Sequence, residues 1–116
     1  MIIAVQGTKS FDDYGIFLRA MGTAMSIKPE EDKEIFVYSA GPSHINEMGM
    51  EFTNVSERSL KGRGIKIRFI KVPPSWIREN IQKVGYFAFF SKPKESLSDL
   101  VTLAENKDIE VGVYRY

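Results

Sequence analysis

The sequence predicts a single α/β domain with a Rossmann-like three-layer architecture, in which a mainly parallel five-stranded sheet of order 3-2-1-4-5 carries helices on both faces. Two observations favour this fold class. Short apolar runs alternate along the 116 residues with segments whose apolar side chains recur at helical spacing. The first, second and fourth predicted strands are apolar runs, whereas the third and fifth alternate apolar and polar residues. Because central strands are covered on both faces, the two alternating strands are expected at the sheet edges.

The first half of the chain predicts two strand–helix units. Residues 2–5 are a short apolar run closed by a glycine, and residues 34–39 are a second such run. A capping-box pattern, Ser10 with Asp13, opens the first helix, and the run KGRG at 61–64 ends the second. The apolar stripes of the two helices are Tyr14, Phe17, Leu18, Met21 and Met25, and Ile45, Met48, Phe52 and Val55.

The second half predicts three strands and two helices. Residues 65–72 and 109–116 alternate in polarity, whereas residues 86–90 are apolar throughout. Ser75 is predicted to cap the first, short helix, and Ser96 opens a capping box for the second. The stripes of these helices are Ile77 and Ile81, and Leu97, Leu100, Val101 and Ala104.

The composition restricts the chemistry of the chain. Sixteen basic and fifteen acidic residues give a net charge of +1, so we expect neither a nucleic-acid nor a membrane partner. The absence of cysteine excludes disulfides and thiolate metal sites, and the single histidine has no carboxylate cluster, so no metal or other cofactor is predicted. No apolar run approaches the roughly 18 residues of a spanning helix, and the start does not resemble a signal peptide. We therefore expect one soluble, cytoplasmic domain over residues 1–116.

The predicted strand order places a switch point between the first and fourth strands. Ligands of such sheets bind outside the carboxyl ends of the strands at this point. Three loops are therefore candidates for a binding site: GTKSFDD at 7–13, AGPSHIN at 40–46 and SKPKES at 91–96.

The first loop combines a glycine with hydroxyl and basic residues at a predicted helix start. Gly7 would let the backbone approach a ligand, Thr8 and Ser10 would donate hydroxyls, and Lys9 would add positive charge. A phosphate or carboxylate suits such a site. The alternative is a simple turn followed by a helix cap.

The second and third loops offer further contacts. Gly41 and Pro42 break the second strand, Ser43 can cap the next helix, and His44 in its first turn could contact a ligand or act as a base. The alternative for the histidine is a surface position without a task.

The third loop begins with Ser91 and carries Lys92 and Lys94 close to a predicted helix start. Two lysines there could meet an anion. They could equally belong to a solvated loop.

Two of these loops carry a family likeness. GTKSF at 7–11, followed by DDY, resembles the GSRDF motif that ends the first strand in the SLOG superfamily, close to its YspA-like domain of unknown function. SAGPSHIN at 39–46 resembles the loop SGGARGAD after the second strand of that family. Gly41 keeps the second glycine, His44 stands at the third glycine, and Asn46 stands at the aspartate. The last helix and strand also match in spacing, so the resemblance covers nearly the whole chain.

The resemblance implies a nucleotide or nucleotide-derived ligand, such as an ADP-ribose derivative, over the first two loops. It also implies a homodimer or higher homo-oligomer. The phosphoribohydrolase branch of the superfamily has PGGxGTxxE after a later strand, whereas this chain has SKPKESLSD at 91–99, without paired glycines. The best-known catalytic residues of that branch are therefore missing. The implied first shell consists of Gly7, Thr8, Lys9, Gly41, Pro42 and Ser43.

Three functional hypotheses follow. The first is non-catalytic binding of a nucleotide-like small molecule at the carboxyl ends of strands 1, 2 and 4. The second is hydrolysis of a nucleoside phosphate or N-glycosidic bond, for which His44, Glu47 and Glu51 are the nearby acid–base candidates. The third is a ligand-free interaction or assembly protein, which could be virus-encoded. The sequence favours the first hypothesis, because the three loops converge on one edge and the hydrolase motif is missing.

Overall fold

The computed structural model describes residues 1–116 and confirms the predicted α/β fold. Neighbouring strands all pair in parallel, in the predicted order β3-β2-β1-β4-β5. The strands are β1 (Ile2–Gly7), β2 (Glu34–Ser39), β3 (Lys66–Lys71), β4 (Tyr86–Ser91) and β5 (Val111–Arg115). The helices are α1 (Tyr14–Ser26), α2 (Ser43–Gly62), α3 (Pro74–Glu79), followed by a 3-10 turn at Ile81–Lys83, and α4 (Asp99–Asn106).

The sheet separates two apolar layers. Ile3 and Val5 of β1 point into the larger core, which α1 and α2 cover, whereas Ala4 points into the smaller core under α3 and α4. Phe90 of β4 anchors the larger core, with its ring centroid 5.0 Å from that of Phe11 and 5.2 Å from that of Phe17. No helix is both long enough and apolar enough to cross a membrane.

Burial along the strands follows the predicted division into central and edge strands. β4 is buried at all six positions. On β3, by contrast, Lys66, Arg68 and Lys71 are exposed, and β5 exposes Val113 and Arg115. The edge strands are also shorter than predicted, since β3 spans Lys66–Lys71 rather than 65–72 and β5 spans Val111–Arg115 rather than 109–116.

The helix starts differ from the predicted serine caps. Asp13 caps α1 by accepting a hydrogen bond from the amide of Ile16, and Ser98 caps α4. The other two helices follow Pro42 and Pro73 and have no side-chain cap. Pro42 and Pro73 occupy the N-cap positions and have no side-chain acceptor, so neither helix start uses a serine hydroxyl. Pro74, the first residue of α3, presets a backbone angle suited to a helix start. The predicted caps at Ser10, Ser43, Ser75 and Ser96 are therefore wrong.

Four predicted stripe residues lie outside the apolar interior or outside their helix. Leu18 is 40% exposed on α1, and Val55 is 61% exposed on the outer surface of α2. Leu97 precedes α4 and is 44% exposed, and Ile81 is buried but belongs to the 3-10 turn rather than to α3. Helical spacing alone does not reveal where a helix begins or how far its neighbour extends over it.

Candidate functional site

The three predicted loops meet at the carboxyl edge of the sheet. The amide of Gly7 donates to the carbonyl of Gly41 at 3.0 Å, which ties the first loop to the second. The amide of Thr8 donates to the carbonyl of Phe90 at 2.9 Å, which ties the first loop to the end of β4. The switch point between β1 and β4 therefore lies where the sequence predicts it.

Gly7 allows the close approach that holds these loops together. A Cβ atom at this position would lie 2.9 Å from Cδ1 of Ile45 and 3.1 Å from the carbonyl oxygen of Phe90. Real Cβ atoms almost never come within 3.0 Å of another heavy atom, and the contact with the Phe90 carbonyl is tighter than most real ones. A side chain at this position would therefore push the first loop away from the start of α2.

The carboxylate of Glu95 occupies the centre of the first and third loops. Its Oε1 accepts hydrogen bonds from the Thr8 hydroxyl at 2.8 Å and the Lys92 amide at 2.6 Å, and its Oε2 accepts one from the Ser10 hydroxyl at 2.7 Å. We call these three donors the oxyanion cradle. Ser10 thus contributes to the cradle rather than to the cap of α1.

The hydrogen bonds of the cradle favour the ionised form of the Glu95 carboxyl. The hydroxyl of Ser10, the amide of Lys92 and the hydroxyl of Thr8 lower the pKa of the Glu95 carboxyl, because all three hydrogen bonds stabilise its charged form. Lys92 Nζ also lies 3.7 Å from Asp12, so its charge is partly neutralised. Lys9 is exposed and forms no ion pair.

The start of α1 does not offer the predicted anion site. The Asp13 carboxylate lies at this helix end and accepts a hydrogen bond from the amide of Ile16 at 3.1 Å. A second negative group would meet this carboxylate and the neighbouring Asp12. The predicted anion contact therefore shifts from the helix start to the cradle, which uses Thr8 and Ser10.

A hydrogen bond between Ser39, at the end of β2, and Asn46, in α2, fixes the second loop. The Ser39 hydroxyl donates to Oδ1 of Asn46 at 2.5 Å, and the amide of Gly41 points at the same hydroxyl at 3.4 Å. Asn46, a predicted ligand contact, is thus engaged in fixing the loop. Pro42 is half-buried and Ser43 is exposed, so both remain accessible at the edge.

Four buried polar atoms have no hydrogen-bond partner, and all four lie at this end of the molecule. Gln6 and Ser91 are at the carboxyl ends of β1 and β4, whereas Tyr14 and His44 are in the first turns of α1 and α2. The atoms are Gln6 Oε1, Tyr14 OH, His44 Nε2 and Ser91 Oγ. Burial, and to a smaller extent the carboxylate of Glu51, raises the pKa of Tyr14, so its hydroxyl keeps its proton.

The catalytic candidates do not form an acid–base pair. Glu47 is exposed and makes no hydrogen bond or ion pair, and no ion pair joins it to His44. The chain contains no group of acidic, histidine or cysteine side chains that could hold a metal ion.

The surface depressions of the molecule lie elsewhere. The five of them, with volumes of about 240 to 490 Å³, are located along β3, at the amino edge of the sheet, and between α1 and α2. None is lined by a residue of the three loops. Glu95 fills the space between the first and third loops, so a ligand would reach the cradle only if this side chain moved.

Sequence reasoning identified the three loops but overlooked their central side chain. The sequence analysis assigned the third loop an anion contact through Lys92 and Lys94 and gave Glu95 no role. The signal that could have found it is the pair of hydroxyls in the first loop, which need an acceptor. Tyr14 was assigned to the apolar stripe of the first helix, and Gln6, between the apolar run at 2–5 and Gly7, was assigned no role.

Comparison of the chain with family models, with curated proteins and with solved structures found no match. The resemblance to the SLOG superfamily therefore rests on the motifs at residues 7–11 and 39–46 and on the spacing of the last helix and strand.

Proposed function

We propose that the protein binds a nucleotide or nucleotide-derived small molecule at the carboxyl ends of β1, β2 and β4, without turning it over. The observation that carries this proposal is the position of the four buried polar atoms without partners. A buried polar atom without a hydrogen bond costs about 1 to 3 kcal/mol, so folded proteins contain few of them. They lie at one end of the sheet, with Gln6 and Ser91 on the α3–α4 side and Tyr14 on the α1–α2 side, and their position there supports a ligand at this end.

The oxyanion cradle favours a ligand that carries a phosphate. Carboxylate and phosphate oxygens accept the same kind of hydrogen bond, and hydroxyl and amide donors serve both. In the unliganded protein these donors hold Glu95. A phosphate group would compete with this carboxylate, and Lys9 and Lys92 would add favourable charge once Glu95 had moved away.

The family hypothesis supports the same ligand class. We propose that the chain is a divergent SLOG-type domain of the YspA-like kind, because its GTKSF motif supplies two of the three cradle donors, Thr8 and Ser10. Nucleotide-derived ligands, including ADP-ribose derivatives, are the class expected of such a domain.

Hydrolysis has weaker support than binding. A hydrolase needs a positioned acid or base within reach of the reacting bond. Glu47 points into solvent without a partner, and the one acidic side chain held in place at this edge, Glu95, is kept ionised by three donors. This arrangement suits recognition of hydroxyl and phosphate groups rather than proton transfer.

Calorimetric titration with AMP, ADP-ribose and adenosine tests the proposal. Thr8→Ala with Ser10→Ala should weaken binding of the two phosphate-bearing ligands at least about 10-fold, since a hydrogen bond to a charged group contributes roughly 1.5 to 3 kcal/mol. Glu95→Ala should strengthen binding of the same ligands, because it removes the competing carboxylate. Adenosine binding should change little in either variant.

Glu105→Ala is the matched control for Glu95→Ala. It removes the same charge from an exposed position on α4 that has no side-chain hydrogen bond. If Glu105→Ala strengthened phosphate binding as much as Glu95→Ala does, net charge rather than the cradle would explain the effect. If neither the wild type nor Glu95→Ala bound any of the three ligands, the proposed function would be wrong.

A further inference from the structure

A continuous basic segment lies along the β3 edge of the sheet. Residues 58–71 contain six basic and no acidic side chains, so the rest of the chain has ten basic and fifteen acidic residues. The net charge of +1 therefore conceals a strongly asymmetric distribution. The six residues are Arg58, Lys61, Arg63, Lys66, Arg68 and Lys71.

These charges are only partly offset by acidic neighbours. All six side chains are exposed, and none takes part in the three ion pairs of the molecule. Lys61, Lys66 and Arg68 line a common depression of about 360 Å³ together with Glu57, and Glu34 pairs in register with Lys66. The basic side chains outnumber these two carboxylates, so an anionic partner would stabilise the segment.

A row of aromatic side chains runs beside the basic segment on one face of the sheet. Phe36 pairs in register with Arg68, so the two side chains point to the same face. The ring of Tyr38 lies 6.2 Å from that of Phe36 and 4.2 Å from that of Trp76 on α3. All three rings are half-buried, so each keeps part of its surface accessible.

We propose that this basic–aromatic surface, defined by Phe36, Tyr38, Lys66, Arg68 and Trp76, binds single-stranded nucleic acid. Accessible rings provide platforms for unpaired bases, and the lysine and arginine side chains neutralise the phosphates between them. A membrane surface would need a flat apolar or amphipathic helix face, and an acidic peptide would leave the rings without a role. The surface is separate from the oxyanion cradle, so this inference does not depend on the proposed ligand.

Fluorescence anisotropy with labelled oligo(U) and oligo(dT) of about 20 nucleotides tests the inference at low salt. We expect both oligonucleotides to bind and to quench the fluorescence of Trp76, the single tryptophan of the protein. Lys66→Glu with Arg68→Glu should weaken binding at least about 30-fold. The same change should reduce the slope of log affinity against log salt by about 1.4, since each phosphate contact on a single strand contributes about 0.7.

Two further variants separate charge from stacking. Arg19→Glu with Lys107→Glu makes the same change of net charge at exposed positions on α1 and directly after α4, and should weaken binding far less. Phe36→Leu keeps an apolar side chain but removes a ring, and should weaken binding about 5-fold or more. If the charge-reversal variant did not fold, Lys66→Gln with Arg68→Gln would replace it, with a smaller loss of the same kind.

Several outcomes would overturn the inference. One is an unchanged anisotropy for both oligonucleotides at low salt. Another is an equal loss of affinity in the control variant, which would show an effect of net charge only. Binding to vesicles of anionic lipid or to a polyglutamate peptide, without binding to either oligonucleotide, would assign the surface to a different partner.

Discussion

At the amino edge of the sheet, the Asp32 carboxylate accepts a hydrogen bond from the amino group of Met1 at 2.5 Å, whereas at the carboxyl edge the Glu95 carboxylate sits in the oxyanion cradle. Both carboxylates are ionised and satisfied. Their surroundings differ, because Lys28 donates to two backbone carbonyls around Asp32 and no buried side-chain atom there lacks a partner. At the carboxyl edge, by contrast, four buried polar atoms have no hydrogen-bond partner.

The comparison separates contacts that hold the fold from contacts that a ligand can replace. At the amino edge, Asp32 fastens the start of β1 to the segment before β2, and its partners are the backbone and terminal groups of neighbouring strands. At the carboxyl edge, a half-buried side chain from a loop occupies donors of another loop. We therefore expect substitutions at the amino edge to change stability alone, and substitutions at the carboxyl edge to change binding as well.

The largest loss of stability is expected for a substitution in the core next to the carboxyl edge. Phe90 is fully buried, and its ring packs against those of Phe11, Phe17 and Tyr114. Phe90→Ala should lower the free energy of unfolding by about 3 to 5 kcal/mol, because it removes a large apolar side chain and leaves a cavity. Urea denaturation measures the loss. A loss below about 1 kcal/mol would mean that this end of the core is loosely packed.

Gly7→Ala should have an intermediate effect that is specific to the carboxyl edge. The new methyl group would meet Ile45 at 2.9 Å and the backbone of Phe90 at 3.1 Å, and overpacking of this kind costs about 1 to 3 kcal/mol. Because the first loop would shift, ligand binding should weaken too. The control is Gly22→Ala on α1, where nothing lies within 4 Å and helix propensity predicts a gain of roughly 0.5 to 1 kcal/mol. Equal stability of the two variants would contradict the close approach at Gly7.

Asp32→Asn should have the smallest effect on stability, about 0.5 to 1 kcal/mol at neutral pH, because the ion pair is partly exposed. The hydrogen bond from the Met1 amino group lowers the pKa of Asp32, as the cradle lowers that of Glu95. A carboxyl of lowered pKa stabilises the fold above its unfolded pKa of about 4, and this stabilisation is lost as the pH falls through the folded value. Stability of the wild type should therefore decline in acid.

The dependence of stability on pH in the acid range gives a second comparison of the two edges. Asp32→Asn and Glu95→Gln should each flatten the decline of stability between pH about 5 and pH about 2, measured by urea denaturation. Only Glu95→Gln should also alter the affinity for phosphate-bearing ligands. Altered ligand affinity in Asp32→Asn, with the fold intact, would contradict the division between a structural and a binding edge.

The fold could be predicted from the sequence because its signals are additive along the chain. The continuous apolar run at 86–90 and the alternating run at 65–72 determined which strands lie inside and outside the sheet, and many residues contribute to each signal. The predictions of helix caps failed because each cap depends on a single residue. Asp13 rather than Ser10 caps α1, and Pro42 and Pro73 occupy the cap positions of α2 and α3 without a side-chain acceptor.

The candidate site could be predicted only in part. Loop position follows from strand order, so Gly7, Thr8 and Ser10 were found together with Lys92. The partner of these residues depends on how the third loop folds back, and Glu95 lies 87 residues from Thr8 in the chain. The basic surface was missed for another reason, since the total charge of +1 averages over opposite charges.

An NMR titration of the ¹⁵N-labelled protein with ADP-ribose tests the central claim most directly, because it reports on both edges in one experiment. We predict shifts of the backbone amide signals of Thr8, Ser10, Lys92 and Glu95, and unchanged signals for Lys28, Asp32 and Glu34. The shifts should appear at lower ligand concentration in Glu95→Ala. Shifts confined to the amino edge, or an unchanged spectrum in both the wild type and Glu95→Ala, would contradict a binding site at the carboxyl edge.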